Sequence, residues 1–326
     1  MAPLRPAAAN DSALSARNDS TTAGTALWRE ALSAVAVFAV DPQIGLRLAA
    51  RAGPVRAAAL ETLHALIADD MPVRKMPAGI SEAALLGGLD LAASLHTGQP
   101  VLEKGLIADT HGGVLIAPMA ERMTQEAAGL VSLALDRGHL SIERDGMSRD
   151  MPAQIGVVAL DEGMEPDEAP PENLCERLGL WISLDGADPR GESDGGLDAE
   201  TVVSARSRLA SVRPDDPAIE TICQTAMAFG IVSLRAPHLA IRAACAAAAL
   251  GGRLSPSPGD VEAAIRMVLL PRAVTMPSMP EAQDDAGDEP DEDDDAQDDE
   301  QPSPPTMPRR SPRRRATIPM FSRART

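Results

Sequence analysis

The chain has 326 residues, enough for one or two domains with sizeable cores; its 44 % apolar share is mostly alanine, leucine and valine, with two tryptophans, three phenylalanines and no tyrosine. That composition favours packed helices over a β-sandwich or an aromatic ligand cage. The net charge of −18 is unevenly spread: residues 281–301 hold thirteen acids and no base, and residues 309–326 seven arginines and no acid, so the remainder is moderately acidic and excludes a surface built to track nucleic acid.

Residues 1–22 mix alanine, serine and asparagine without periodicity and read as a loose tail. A helix follows from about Ala26 to Phe38, ending before Asp41-Pro42. Ile44, Leu46 and Leu48 then alternate with Gly45, Arg47 and Ala49 as a strand, and from Pro54 onward Val55, Ala59, Leu63 and Ile67 share one helical face. Strand, short loop and helix in this order form the frame of a phosphate-binding loop. Such a loop requires G-x-x-x-x-G-K-[ST]: glycines let backbone N–H groups curl around phosphates, a lysine reaches them, and a hydroxyl holds magnesium. Here those four positions are Ala50, Val55, Arg56 and Ala57. Only the positive charge is kept; Val55 brings a branched Cβ, Pro54 lacks a donor, and Ala57 cannot ligate a metal.

Further on, Val73 to Met76 reads as a short strand, and Ser81 with Glu82 starts the segment containing LLGGLDLAASL. Gly105 to Asp109 reads as a helix and Val114 to Ala117 as a wholly apolar, buried strand. Thr124 caps a helix whose Ala127, Leu130, Val131 and Ala134 share a face. His139–Glu143 and Met147–Met151 flank Asp145-Gly146, a strong hairpin signal. Ile155–Leu160 is a second buried strand, 171–178 a short helix and Trp181–Leu184 a last strand. Strands separated by helices imply a parallel-type α/β sheet with the hairpin inserted.

After the linker GADPRGESDGG (186–196) the strands stop, and residues 198–212, 216–229, 235–250 and 258–269 read as helices. The expected organisation is a tail over 1–22, an α/β domain over 23–190, an all-helical domain over 198–273, and a disordered acidic, proline-rich and arginine-rich segment over 274–326. Cys175, Cys223 and Cys245 fall in helical, apolar patterns and read as reduced core residues, and the five histidines never pair at ligand spacing, so no metal site is expected. With no apolar leader and no long uncharged apolar run, the chain reads as neither secreted nor membrane-spanning, hence cytoplasmic.

LLGGLDLAASL, KGLIADTHGGVLIAPMAERM, the Asp145-Gly146 hairpin, LCERLG and SLRAPHLAIRAACAAAALGG, taken together over about 25 to 275, resemble the D subunit of magnesium chelatase. The resemblance implies an AAA+ α/β core, of the P-loop type with a β-hairpin insertion, followed by a small helical lid. It also implies a role: the enzyme inserts Mg²⁺ into protoporphyrin IX in chlorophyll and bacteriochlorophyll synthesis, the I subunit hydrolyses ATP, and the H subunit holds the porphyrin. No cofactor is expected in this chain; ATP and Mg²⁺ are used by the assembled complex. The family's integrin-type metal-binding domain, with its D-x-S-x-S, is absent, so a fragment or truncated product is expected.

On the family pattern the second acidic signature falls on Pro118 and Met119, which leaves no carboxylate for magnesium or for the attacking water. Glu121, two residues off, reads as a solvated helix-start residue, and Asp161 and Glu162 as either a polar sensor or a solvated turn. Arg56 either touches phosphate or is a surface residue near Glu61 or Asp69. Arg177 occupies the place of the arginine finger that acts on a neighbour's pocket, its alternative being a local pair with Glu172 or Glu176. Arg235 matches the lid arginine that meets γ-phosphate, or serves an interface, or starts a helix. The functional expectation is a non-hydrolysing scaffold and trans-activator; a MoxR-like pseudo-ATPase adaptor and an active ATPase with an aberrant loop are the alternatives.

Overall fold

The computed structural model describes residues 8–275, apart from 69–70, 100, 145–146, 166 and 192–197. Helix α1 (Ala8–Val40) leads through a 3-10 turn (Pro42–Ile44) into strand β1 (Leu46–Ala49) and helix α2 (Pro54–Leu66). Then come β2 (Val73–Lys75), α3 (Glu82–Leu86), β3 (Gly87–Asp90), α4 (Leu91–Thr97), β4 (Val101–Lys104), α5 (Leu106–Asp109) and β5 (Val114–Ala117). Helix α6 (Gln125–Arg137), strands β6 (His139–Arg144), β7 (Met147–Pro152) and β8 (Gly156–Asp161), α7 (Glu172–Cys175) and β9 (Leu180–Ser183) complete the α/β part. Four helices follow: α8 (Ala199–Leu209), α9 (Asp216–Ala228), α10 (Arg235–Leu250) and α11 (Pro258–Ala264), the last running on as a π turn over Ile265–Leu269.

The main sheet is entirely parallel, in the order β2-β5-β8-β1-β9. Its inner strands β5 and β8 are buried at every residue, the continuous apolar reading of a strand covered on both faces. Alternation sorts their side chains. Val114, Ile116, Val158 and Leu160 join a core with α1, α2 and the lid helices, whereas Leu115, Ala117, Val157 and Ala159 face α5, α6 and α7. Helix starts follow local chemistry: Ser81, Thr124, Asp198 and Asp215 each accept a bond from the backbone N–H three residues on, and Ser257 with Asp260 forms a capping box.

Several expectations are revised. Helix α1 reaches back to Ala8 rather than starting near Ala26, because extending an existing helix adds one bond per residue without a new nucleus. Its Thr22–Val40 stretch, with a mean hydropathy of 1.3, is long and apolar enough to cross a membrane, but it carries Arg29 and Glu30, and 61 % of it is buried inside this fold. The segment containing LLGGLDLAASL supplies a second antiparallel ribbon, β3 with β4. Gly87 has φ +89°, and a Cβ there would lie 2.3 Å from the Glu103 carbonyl oxygen, so the ribbon's base admits only glycine. Strands β6 and β7 pair as expected, with Arg144 opposite Met147; Asp145 and Gly146, like residues 276–326, lie outside the described residues. Cys175 is buried, Cys223 and Cys245 half-buried, and all three are free thiols.

Polar ties fix the helical part to α1 and the residue that follows it. Arg242 on α10 grips Asp41 through Nη2 at 2.7 Å and Nε at 3.0 Å, Arg206 Nε donates to Ala39 O at 2.7 Å, and Arg266 reaches Glu30 at 3.2 Å. Asp41 is almost wholly buried, so Arg242→Ala leaves a desolvated carboxylate without its donor. A loss of about 2 kcal/mol is expected, read as a lower urea midpoint at unchanged slope.

Candidate functional site

The strand–loop–helix frame sits at the C-terminal edge of the sheet. Strand β1 ends at Ala49, Ala50 N donates to Asp161 O at 2.9 Å, and the next helix is already wound at Pro54. Since Pro54 has no N–H and Ala57 N donates to Gly53 O, the first turn offers outward donors only from Val55 and Arg56. Arg56 is half-buried and committed: its Nη1 donates to Glu162 Oε1 at 2.6 Å and to Ala50 O at 3.2 Å. It therefore pairs across the sheet edge with the residue following β8, and not with Glu61.

Glu121 is not the solvated helix-start residue expected, and of the two readings of Asp161 the solvated turn does not hold. After β5 the chain turns through Met119, in the left-handed region at φ 50°, ψ 50°, into a 3-10 turn over Ala120–Arg122. That turn brings Glu121 beneath the strand end, where its side chain is 8 % exposed and Oε2 accepts from Glu162 N at 3.0 Å. Asp161, 4 % exposed, accepts from Arg47 Nη2 at 2.6 Å and from Gly163 N at 3.0 Å. The cavity beside them, about 370 Å³, is lined by Arg51, Asp161, Glu162 and Asp185 among others. A triphosphate entering it would meet Asp185 and the paired carboxylates of Asp161 and Glu162, with Arg51 as the one cation in its lining, Arg47 and Arg56 already neutralised, and no ring of N–H donors. These residues do not fit Mg²⁺–ATP.

At the opposite edge, where β1, β8 and β9 begin, the structure brings together Arg177 and Arg235. Both are held by Asp136 in the last turn of α6. Arg177 donates from Nε (2.9 Å) and Nη2 (2.5 Å) to Asp136 Oδ2 and from Nη1 to Asn173 O (2.6 Å); Arg235, the first residue of α10, donates from Nη1 to Asp136 Oδ1 at 2.8 Å. Neither Glu172 nor Glu176 is Arg177's partner. Burial alone would raise the Asp136 carboxyl, but the two guanidiniums outweigh it and hold the group below the ordinary carboxylate range. Arg177 is 19 % exposed and Arg235 40 %, so the pair is positioned yet open to solvent. Arg56 lies a strand length away, roughly 13 Å or more at about 3.3 Å per residue. Asp136 itself was not singled out from sequence, because an acid in a helix's last turn has no local signature.

A five-stranded parallel sheet in this order, with a strand–loop–helix frame on its C-terminal edge and a helical lid, is an AAA+-type fold. The solved structure of a putative ATPase from Cytophaga hutchinsonii superposes with a TM-score of 0.54 over 78 % of this chain and 89 % of that one, at 14 % identity. The AAA lid domain family matches residues 219–295. Within that class the chain is similar to the 60 kDa subunits of magnesium chelatase. It is 38 % identical over 252 residues to the magnesium-chelatase 60 kDa subunit of Rhodobacter capsulatus (76 % of this chain, 41 % of that one). It is likewise 38 % identical over 258 residues to the 60 kDa subunit of Cereibacter sphaeroides (78 % and 42 %). The chain thus spans about two fifths of the length of these curated relatives.

Two outcomes follow from the geometry. Titrating the purified chain with ATP and Mg²⁺ in a calorimeter gives no saturable binding with a dissociation constant below about 1 mM. Asp136→Asn lowers stability at neutral pH. Because Asp136 is depressed in the fold, its contribution is present above the ordinary carboxylate range and is lost as pH falls through the lower folded value. The gap between Asp136→Asn and the parent in thermal unfolding therefore closes below about pH 4.

Proposed function

We propose that this chain is the AAA+ module of a magnesium-chelatase D subunit, which does not hydrolyse ATP itself and activates an ATP-hydrolysing I subunit in trans. The supporting observation is the arginine pair on Asp136. Arg177 and Arg235 stand at the sheet edge opposite their own chain's frame, beyond the reach of a side chain, so any phosphoryl group they meet belongs to a neighbour. In a ring of AAA+ subunits this edge faces the next subunit's nucleotide. Arg177 then offsets the charge developing on the transferred phosphoryl group, with Arg235 beside it as a second contact or an interface residue. Asp136 keeps both guanidiniums from folding back on other carboxylates of an acidic protein.

In this reading ATP and Mg²⁺ are consumed in the I subunit, the H subunit presents protoporphyrin IX, and the assembled cytoplasmic enzyme inserts Mg²⁺ on the way to chlorophyll or bacteriochlorophyll. Arg56, Glu162 and Glu121 serve only to close the frame internally. The relatives favour this over a MoxR-like adaptor. Mixing the chain with a magnesium-chelatase I subunit should yield a complex by gel filtration. In it Arg177→Ala lowers the I subunit's ATP turnover by about 10²-fold or more while the complex persists. Unchanged turnover in an intact complex would remove Arg177 from this role.

A further inference from the structure

Arg272, in the 3-10 turn Leu270–Arg272 that closes the lid, is a half-buried residue whose guanidinium has no carboxylate at ion-pair distance among the described residues. It spends its donors on backbone carbonyls instead. Nη1 donates to Gly179 O at 2.9 Å and to Val268 O; Nη2 donates to Leu178 O and lies 3.5 Å from Cys175 O. Its Cζ sits over the Trp181 ring, 4.0 Å from the ring centre, and the indole Nε1 donates to the same Leu178 carbonyl at 2.7 Å. Burial lowers its pKa to about 9, a measure of how poorly the charge is solvated there.

A cation in such a place is costly, and filling space needs only an apolar side chain. What an apolar residue could not do is bind the carbonyls of Cys175, Leu178 and Gly179, which bracket Arg177. We infer that Arg272 is the positioning residue for Arg177: from the end of the lid it pins the turn from which the finger projects. The inference rests on the trans-activating role proposed above. The start of α10 acts on the same residue, since Arg235 shares Asp136 with Arg177. Two points of the helical domain, the start of α10 and the closing turn, therefore converge on Arg177, and a shift of these helices must move Arg177 with them. Lysine cannot substitute, because an ammonium neither presents a planar fork to diverging carbonyls nor stacks on an indole in the same way.

The test uses the full chain in complex with a magnesium-chelatase I subunit, comparing Arg272→Lys, Trp181→Phe, Arg177→Ala and the two doubles carrying Arg177→Ala. Thermal unfolding and gel filtration report folding and assembly; initial rates give kcat and KM for ATP. In complexes that remain assembled, Arg272→Lys lowers kcat about tenfold with KM within about twofold. Trp181→Phe, which keeps the ring but loses its bond to Leu178, lowers kcat less. Neither adds to the loss already caused by Arg177→Ala. Equal losses with and without Arg177 would mark a general stability effect and overturn the inference, as would full turnover in both single variants while Arg177→Ala is impaired. If Arg177→Ala itself has no effect, the trans-activating role falls and this inference falls with it.

Discussion

One apolar core runs from a face of the sheet through α1 into the lid, and the placement of every functional charge depends on it. Trp28, Val35 and Phe38 of α1 lie in the same cluster as Leu46 and Leu48 of β1 and the buried alanines of α10. Alanines at 240, 243, 244, 246, 248 and 249 keep α10 slim, so neighbouring helices approach closely and the contact tolerates little sliding. A lid packed this way is fixed relative to the sheet. Arg235, at the start of α10, and Arg272, in the closing turn, consequently both bear on Arg177, one through Asp136 and the other through the carbonyls beside it.

The two sheet edges use the same interaction to different effect. At the C-terminal edge guanidiniums and carboxylates pair one to one, Arg47 with Asp161 and Arg56 with Glu162, and the local charge cancels. At the other edge a single carboxylate serves two guanidiniums, so Asp136 orders Arg177 and Arg235 while leaving an excess positive charge. Partner counting alone makes one edge quiet and the other attractive to anions, in a protein that is acidic overall.

Much of the fold was legible from spacing. The alternation of β1, the unbroken apolar runs of β5 and β8, the caps at Ser81 and Thr124 and the hairpin flanks are local signals, and the structure follows them. Partner choice was not legible. Arg177 meets Asp136, 41 positions away, rather than its neighbours Glu172 and Glu176; Arg56 meets Glu162 across 106 positions; and Arg235 spans 99. Ion pairs of that separation are decided by where strands end in space, which no short window contains. The β3–β4 ribbon escaped notice for another reason: Gly87 and Gly88 weaken any strand reading, and their value lies in the close backbone approach they allow.

Met119 carries a consequence for redesign. A non-glycine residue held left-handed is strained by about 1–2 kcal/mol, and here that bend redirects the chain so that Glu121 tucks under the sheet. Placing acids at 118 and 119 would hang them on a backbone already steered elsewhere. Acids aimed from 118 and 119 at a magnesium ion would require straightening the bend and evicting Glu121, so main-chain path as well as side-chain identity sets what this strand end can carry.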